Sequence, residues 1–191
     1  MSSNHLKQFT RRGFLGCVTG LAAAIGLKGA VDSPLNKPPQ KNLYDPLTPE
    51  EEKVINSSGM VKEILNLEGY SCAESILLAA LKYLKKPGEY LHSAAAFGGG
   101  MGHYDLCGFL TGGLMALGNA AGAHHKDRKK MKAQAGKMTK EYWEWWESLA
   151  PLHCYQLKPK YDEEGFINMK KRTAAKIEEL INADAATKEN V

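Results

Sequence analysis

Three cysteines carry most of the chemistry this sequence can offer. Cys72 stands in Gly-Tyr-Ser-Cys-Ala-Glu-Ser, Cys107 in Asp-Leu-Cys-Gly-Phe-Leu-Thr-Gly-Gly, and Cys154 in Leu-His-Cys-Tyr-Gln-Leu. Cys72 and Cys107 fall where helices are expected to begin. A thiolate at a helix N-terminus is favoured by the dipole and by N–H groups that have no partner inside the helix. These sulfurs are therefore expected to deprotonate readily and to serve as metal ligands or nucleophiles. A fold that gathers all three would build a soft, sulfur-rich site.

The cysteine spacing narrows the options. A fourth cysteine, Cys17, lies in the N-terminal apolar run, which leaves three for the folded domain. Three cannot all pair within one chain. No Cys-x-x-Cys pair is present, so a thioredoxin-like motif is excluded. No Cys-x-x-Cys-His is present, so covalent c-type haem is excluded as well. Three readings remain. One is an iron–sulfur cluster on Cys72, Cys107 and Cys154. The second is a metal-free protein in which two thiols exchange with a disulfide. The third is a zinc-stabilised binding module, its set completed by a histidine. His103 and His153 are the candidate imidazoles, each within a few residues of a cysteine, and Asp105 is a weaker substitute. His124-His125 reads as a solvated loop pair. No hydrolytic triad or paired-carboxylate signature stands out, and Glu144 and Glu147 read as solvated helix charge. We therefore assign no catalytic residue. Electron transfer or redox sensing fits better than conversion of a substrate.

The elements that must position these residues are helical. Thr48-Pro49-Glu50-Glu51 is a helix start with a capping box. Val54, Met60, Val61, Ile64 and Leu65 give that helix its apolar face, and Gly69 ends the segment. Ser71-Cys72-Ala73-Glu74 is a second capping box, opening a helix to about Leu84. Leu91 to Phe97 forms a short helix. Gly98-Gly99-Gly100-Met101-Gly102 is a loop without a phosphate-binding or dinucleotide pattern; its glycines let backbone approach another group closely. Asp105 is the expected cap of a helix from about Leu106 to Leu117. That helix is apolar and rich in small residues, and so is taken as the central buried one. Residues 119–125 read as a loop, and 127–149 as a long helix. Tyr142, Trp143, Trp145 and Trp146 cover more than one face of it, which predicts exposure or a homodimer contact. Residues 151–154 read as a turn, and Asn168 as the cap of a last helix through Ile181. No segment alternates with period two. The expected fold is an all-α single-domain bundle of about five helices over residues 48–184, with a flexible tail at 185–191.

The first thirty residues read as an export signal. Lys7 and the pair Arg11-Arg12 precede Phe14-Leu15 and an apolar run to Leu27, which resembles the twin-arginine signature. That run is shorter than the roughly 20 residues a spanning helix needs. Membrane attachment is expected only through an uncleaved signal. The protein is expected to be exported by the Tat machinery to the periplasm, a route that suits a cofactor inserted before transport. Residues 31–47, with Pro34, Pro38, Pro39 and Pro46, read as an extended tether. Of the 25 basic residues, Lys7, Arg11, Arg12 and Lys28 stand in the first thirty with no acid; the other 21 balance 21 acidic residues. A neutral domain offers no global charge argument for nucleic acid, and Lys126–Lys132 reads as one solvated basic patch.

Residues 69–80, 94–118 and 154–157 resemble the C_GCAxxG_C_C family of redox-active proteins. The specific part is the glycine-rich loop followed by Cys107-Gly108-Phe109-Leu110-Thr111-Gly112, with Phe109 where the family has Ala. A related domain accompanies an iron–sulfur centre in split-Soret cytochrome c. The resemblance implies a helical redox domain with a cluster at Cys72, Cys107 and Cys154 and with Gly99, Gly100, Gly102 and Gly108 around it. It also implies a redox partner protein. The family's fourth cysteine would fall near Met169, where this chain has none. His103 or His153 is then the expected replacement, since another group can take a thiolate's place on a cluster.

Overall fold

The computed structural model describes residues 41–188. The expected signal, the tether up to residue 40, and residues 189–191 lie outside the described residues. Among the described residues the chain is all-α with no strand, as the lack of alternating segments predicted. None of these helices is long and apolar enough to cross a membrane.

The apolar, small-residue stretch after Cys107 forms α4 (Gly108–His124), defined here with its neighbours α1 (Pro49–Ser57), α2 (Gly59–Leu65), α3 (Cys72–Tyr83), α5 (Arg128–Leu149), α6 (Cys154–Leu157) and α7 (Glu163–Lys188). A helix that is apolar all round must be covered on all sides. α4 is covered by α3, α5 and α7. Phe109, Leu110, Ala116, Leu117, Ala120 and Ala121 on it are fully buried. A 3-10 segment (Gly88–Phe97) and a π turn (Gly100–Tyr104) join α3 to α4.

Both capping boxes form as read. Thr48 and Glu51 exchange side-chain and backbone bonds at 2.9 and 3.3 Å, and Ser71 and Glu74 do so at 3.0 and 3.4 Å. The helix expected from Pro49 is divided at Ser58, whose backbone is extended. The Ser58 hydroxyl accepts from the Val61 N–H and donates to Glu178 of α7 at 2.6 Å; the Met60 N–H donates to the same carboxylate at 2.7 Å. A long-range anion at a helix start thus outweighs continuation of α1. The break turns the face: Met60, Val61 and Ile64 are buried, while Val54 and Leu65 are exposed.

Two other boundaries differ from expectation. α4 runs on to His124, because Ala120 and Ala121 continue its buried face and Asn119 donates back to the Met115 carbonyl at 2.9 Å. α7 begins at Glu163, where Asp162 accepts from the Gly165 N–H at 2.9 Å; Asn168 lies inside the helix and is buried. Trp143 and Trp145 are half-buried against the core and Tyr142 and Trp146 fully buried, so none of the four aromatics stands out from the surface.

Residues 41–47 pack on the bundle. Leu43 is fully buried, and Arg172 of α7 gathers the segment. Its guanidinium donates to the carbonyls of Leu43, Asp45 and Pro46 at 2.7, 2.6 and 3.0 Å and to both oxygens of Glu51. Burial pushes the Glu51 carboxyl up, but bonds from Arg172, Lys41 and the Thr48 N–H outweigh it and hold the pKa at about 2. The unfolded group titrates near 4.5. The depressed folded pKa therefore contributes stability that is present above pH 4.5 and lost as the pH falls toward 2. Glu51→Gln keeps a residue that completes a capping box but removes this titration. Denaturation midpoints measured across that window should fall less steeply in Glu51→Gln than in the parent.

Candidate functional site

The three cysteines converge. Cys72 is the first residue of α3, Cys107 is the N-cap of α4, and Cys154 is the first residue of α6. All three, not two, open helices. The chain reaches this arrangement by removing side chains. A Cβ on Gly108 would stand 2.9 Å from the Cys72 Cβ and 3.0 Å from the Ala73 nitrogen, and one on Gly112 would stand 2.5 Å from the Ala73 oxygen. No side chain fits there, so α4 lies directly on the first turn of α3. On the other side a Cβ on Gly100 would meet the Asp105 backbone at 2.6 Å and the Cys154 Cβ at 3.0 Å, in a left-handed conformation (φ +64°) that already favours glycine.

Cys154 is tied to Cys107 through backbone. The Cys107 N–H donates to the Leu152 carbonyl at 2.8 Å, and the Cys154 N–H donates to the Asp105 carbonyl at 2.7 Å. These bonds form an antiparallel bridge between Leu106 and His153. Asp105, expected as the cap of α4, instead holds His153: its Oδ1 lies 2.7 Å from His153 Nδ1. Cys107 takes the cap position because the bridge holds Asp105 and Leu106 outside the helix.

The thiols do not ionise as readily as their helix-start positions predict. Burial pushes Cys72 up to about 11, with a further push from Cys154. Cys107, buried most deeply, is pushed up to about 12 by desolvation and then by Cys72. Cys154 is also raised by burial, against the pull of Lys158. The N–H groups of Phe109 and Leu110 favour the Cys107 thiolate, although neither makes a full cap hydrogen bond to it. Loss of water outweighs the helix dipole at each site. All three are free thiols.

Other residues that the sequence did not flag surround the trio. Tyr161, half-buried between α6 and α7, has its hydroxyl pushed well up by burial and then by Cys72, Cys107 and Cys154 together. Lys158 and Lys170 place positive charge near Cys72. No motif marks these three, because they reach the site only through the packing of α6 and α7. The remaining candidates fall as follows. Gly99 and Gly102 supply positive φ to the turn, at +60° and +71°, and a Cβ added at either would meet nothing within 4 Å. His103 is exposed on the π turn. Met169, near the place where the family's fourth cysteine falls, is buried in the core. Among the described residues, no three or more His, Cys, Asp or Glu side chains are gathered closely enough to hold one metal ion. As folded, the trio and its histidines do not form the tetrahedral cage that zinc requires.

No curated protein and no solved structure matched the chain. The family model described as "Putative redox-active protein (C_GCAxxG_C_C)" matches residues 70–186, a span that holds all three cysteines, the glycine loop, α3 to α6 and most of α7. By that match over more than half its length, the chain belongs to the C_GCAxxG_C_C family of redox-active proteins.

Proposed function

We propose that Cys72, Cys107 and Cys154 hold an iron–sulfur cluster and that the protein transfers electrons after export. The observation that carries this reading is the meeting of three remote thiols at three helix starts, across contacts from which the glycines exclude every side chain. Thiolates are the usual ligands of such clusters. A cluster carries several irons and its own sulfides, so its ligands need not crowd around one ion. When bound it supplies one-electron chemistry. The protein's own residues supply the rest. Burial keeps water from Cys107 and limits it at Cys72 and Cys154, and Lys158 and Lys170 offset the charge that the thiolates acquire on losing their protons.

Disulfide exchange fits the site less well. An attacking thiol works best with a pKa near the ambient pH, whereas Cys72 and Cys107 are held at about 11 and about 12. Metal-free protein should therefore alkylate slowly at Cys72 and Cys107 near neutral pH. The rate at Cys72 should climb only as the pH approaches 11, which mass spectrometry of quenched iodoacetamide reactions would follow.

Protein purified without air should contain iron and acid-labile sulfide and should be coloured. Cys72→Ser, Cys107→Ser and Cys154→Ser should each lose most of the visible absorbance, while Cys17→Ser should keep it. Unchanged iron and colour in the Cys107→Ser variant would remove the cluster reading. Colourless, metal-free protein carrying a stable disulfide would replace it with thiol exchange.

The export reading rests on Arg11-Arg12 and the apolar run after them. Substituting both arginines with lysine should retain the protein in the cytoplasmic fraction, as followed by immunoblotting of separated compartments.

A further inference from the structure

The opposite end of α4 carries a second cluster of polar groups that the redox reading does not use. α4 spans sixteen residue steps from Gly108 to His124, about 24 Å at the helical rise. His124 is its last residue and His125 its C-cap. Read from sequence as a solvated loop pair, they are half-buried, and both bind one carboxylate. His124 Nδ1 lies 2.8 Å from Asp184 Oδ2, and His125 Nε2 lies 3.0 Å from Asp184 Oδ1. The Asp184 side chain, on α7, is 1% exposed.

A buried carboxylate is costly unless it is paired. Joining α4 to α7 would need only an apolar contact, or at most one partner. Here both carboxylate oxygens are taken by imidazoles from adjacent residues. An ionised carboxylate only accepts, so each ring donates the N–H it turns toward Asp184. His124 Nε2 and His125 Nδ1 are left for another partner. Both residues line a cavity of about 570 Å3, whose other walls include Lys126, Lys130, Gln134 and Thr187. Asp127 also lines it, but its carboxylate caps α5 by accepting from the Lys130 N–H at 2.8 Å. Lys126 and Lys130 are exposed and join no ion pair among the described residues. The residues around the cavity thus include two histidines oriented by Asp184 and two lysines, and its acid, Asp127, is held at the cap of α5. A carboxylate behind a ligand-facing histidine is a recurrent way of fixing the ring and its tautomer.

We propose that His124, His125, Lys126 and Lys130 form a binding site for a phosphate group, either free or at the end of a small phosphomonoester. A hydrogen phosphate offers both an O–H and anionic oxygens. It can donate to an imidazole lone pair or accept from an imidazolium N–H, and it accepts from both lysines. A metal ion is the poorer occupant, since no group of three ligating side chains is assembled there.

The test is titration of full-length protein with inorganic phosphate and, separately, with glycerol phosphate, observing the histidine ring nitrogens by NMR. Saturable shifts of the His124 and His125 rings are expected with at least one of the two. Saturation with both assigns the site to the phosphate group itself, and saturation with glycerol phosphate alone assigns it to an ester. Replacing Lys126 and Lys130 together with alanine should weaken binding about tenfold or more, about 1.4 kcal/mol or more, without moving the thermal midpoint. Three outcomes overturn the proposal: no saturable shift with either probe, equal affinity in the Lys126→Ala/Lys130→Ala variant, or shifts produced by zinc and by neither phosphate. The cluster on the thiols takes no part in any of these readouts.

Discussion

Gly108 and Gly112 leave no side chain between α4 and the first turn of α3, and the chemistry of the protein depends on that missing layer. Helices ordinarily pack about 8–10 Å apart, with side chains between them. Here the backbone of α4 meets Cys72 and Ala73 directly. This contact sets Cys72 beside the residue that follows Cys107. The Gly100 turn and the short bridge from 105 to 154 then deliver Cys154 to the same place. A methyl group added at Gly108 or Gly112 would press on backbone atoms, which cannot swing aside as a flexible side chain can.

The same closeness decides the electrical character of the site. Helix starts favour thiolates, but dipole effects amount to roughly 0.3–1 kcal/mol at exposed positions. Burial shifts a pKa by up to several units at about 1.4 kcal/mol per unit. With Cys107 only 4% exposed, desolvation prevails. A thiol held neutral is protected from casual alkylation and oxidation, yet it remains able to ligate once a cation compensates the lost proton. Helix starts alone would have made nucleophiles. The burial that accompanies them holds the thiols neutral.

The sequence was most legible where signals are local. The boxes at Thr48 and Ser71, the long helix that ends at Leu149 and the buried character of α4 all depend on near neighbours, and all are found. The failures share a cause. Ser58 breaks a helix because Glu178 reaches it across 120 positions, and Asp105 leaves its expected cap to meet His153, 48 positions away. His124 and His125 are half-buried because Asp184 lies beneath them. Tyr161, Lys158 and Lys170 flank the cysteines with no motif at all. No periodicity or capping rule reports such long-range polar contacts. The convergence of the cysteines was legible only through the family resemblance, since nothing in their spacing states that residues 72, 107 and 154 meet.

α4 is, by propensity, a poor helix. It contains five glycines, each costing about 1 kcal/mol relative to alanine within a helix interior. It persists because α3, α5 and α7 cover it: Gly113, for instance, leaves the space that the Tyr142 ring fills, and the Tyr142 hydroxyl donates to the Phe109 carbonyl at 3.0 Å. Helical structure at Cys107 is therefore a product of tertiary packing and not a local property of the segment. Tyr142 and Asp184 hold α4 at points away from α3, so the helix that follows Cys107 is anchored near both its ends. The two polar ends of this apolar axis share their dependence on one packed core, even though no polar group connects them.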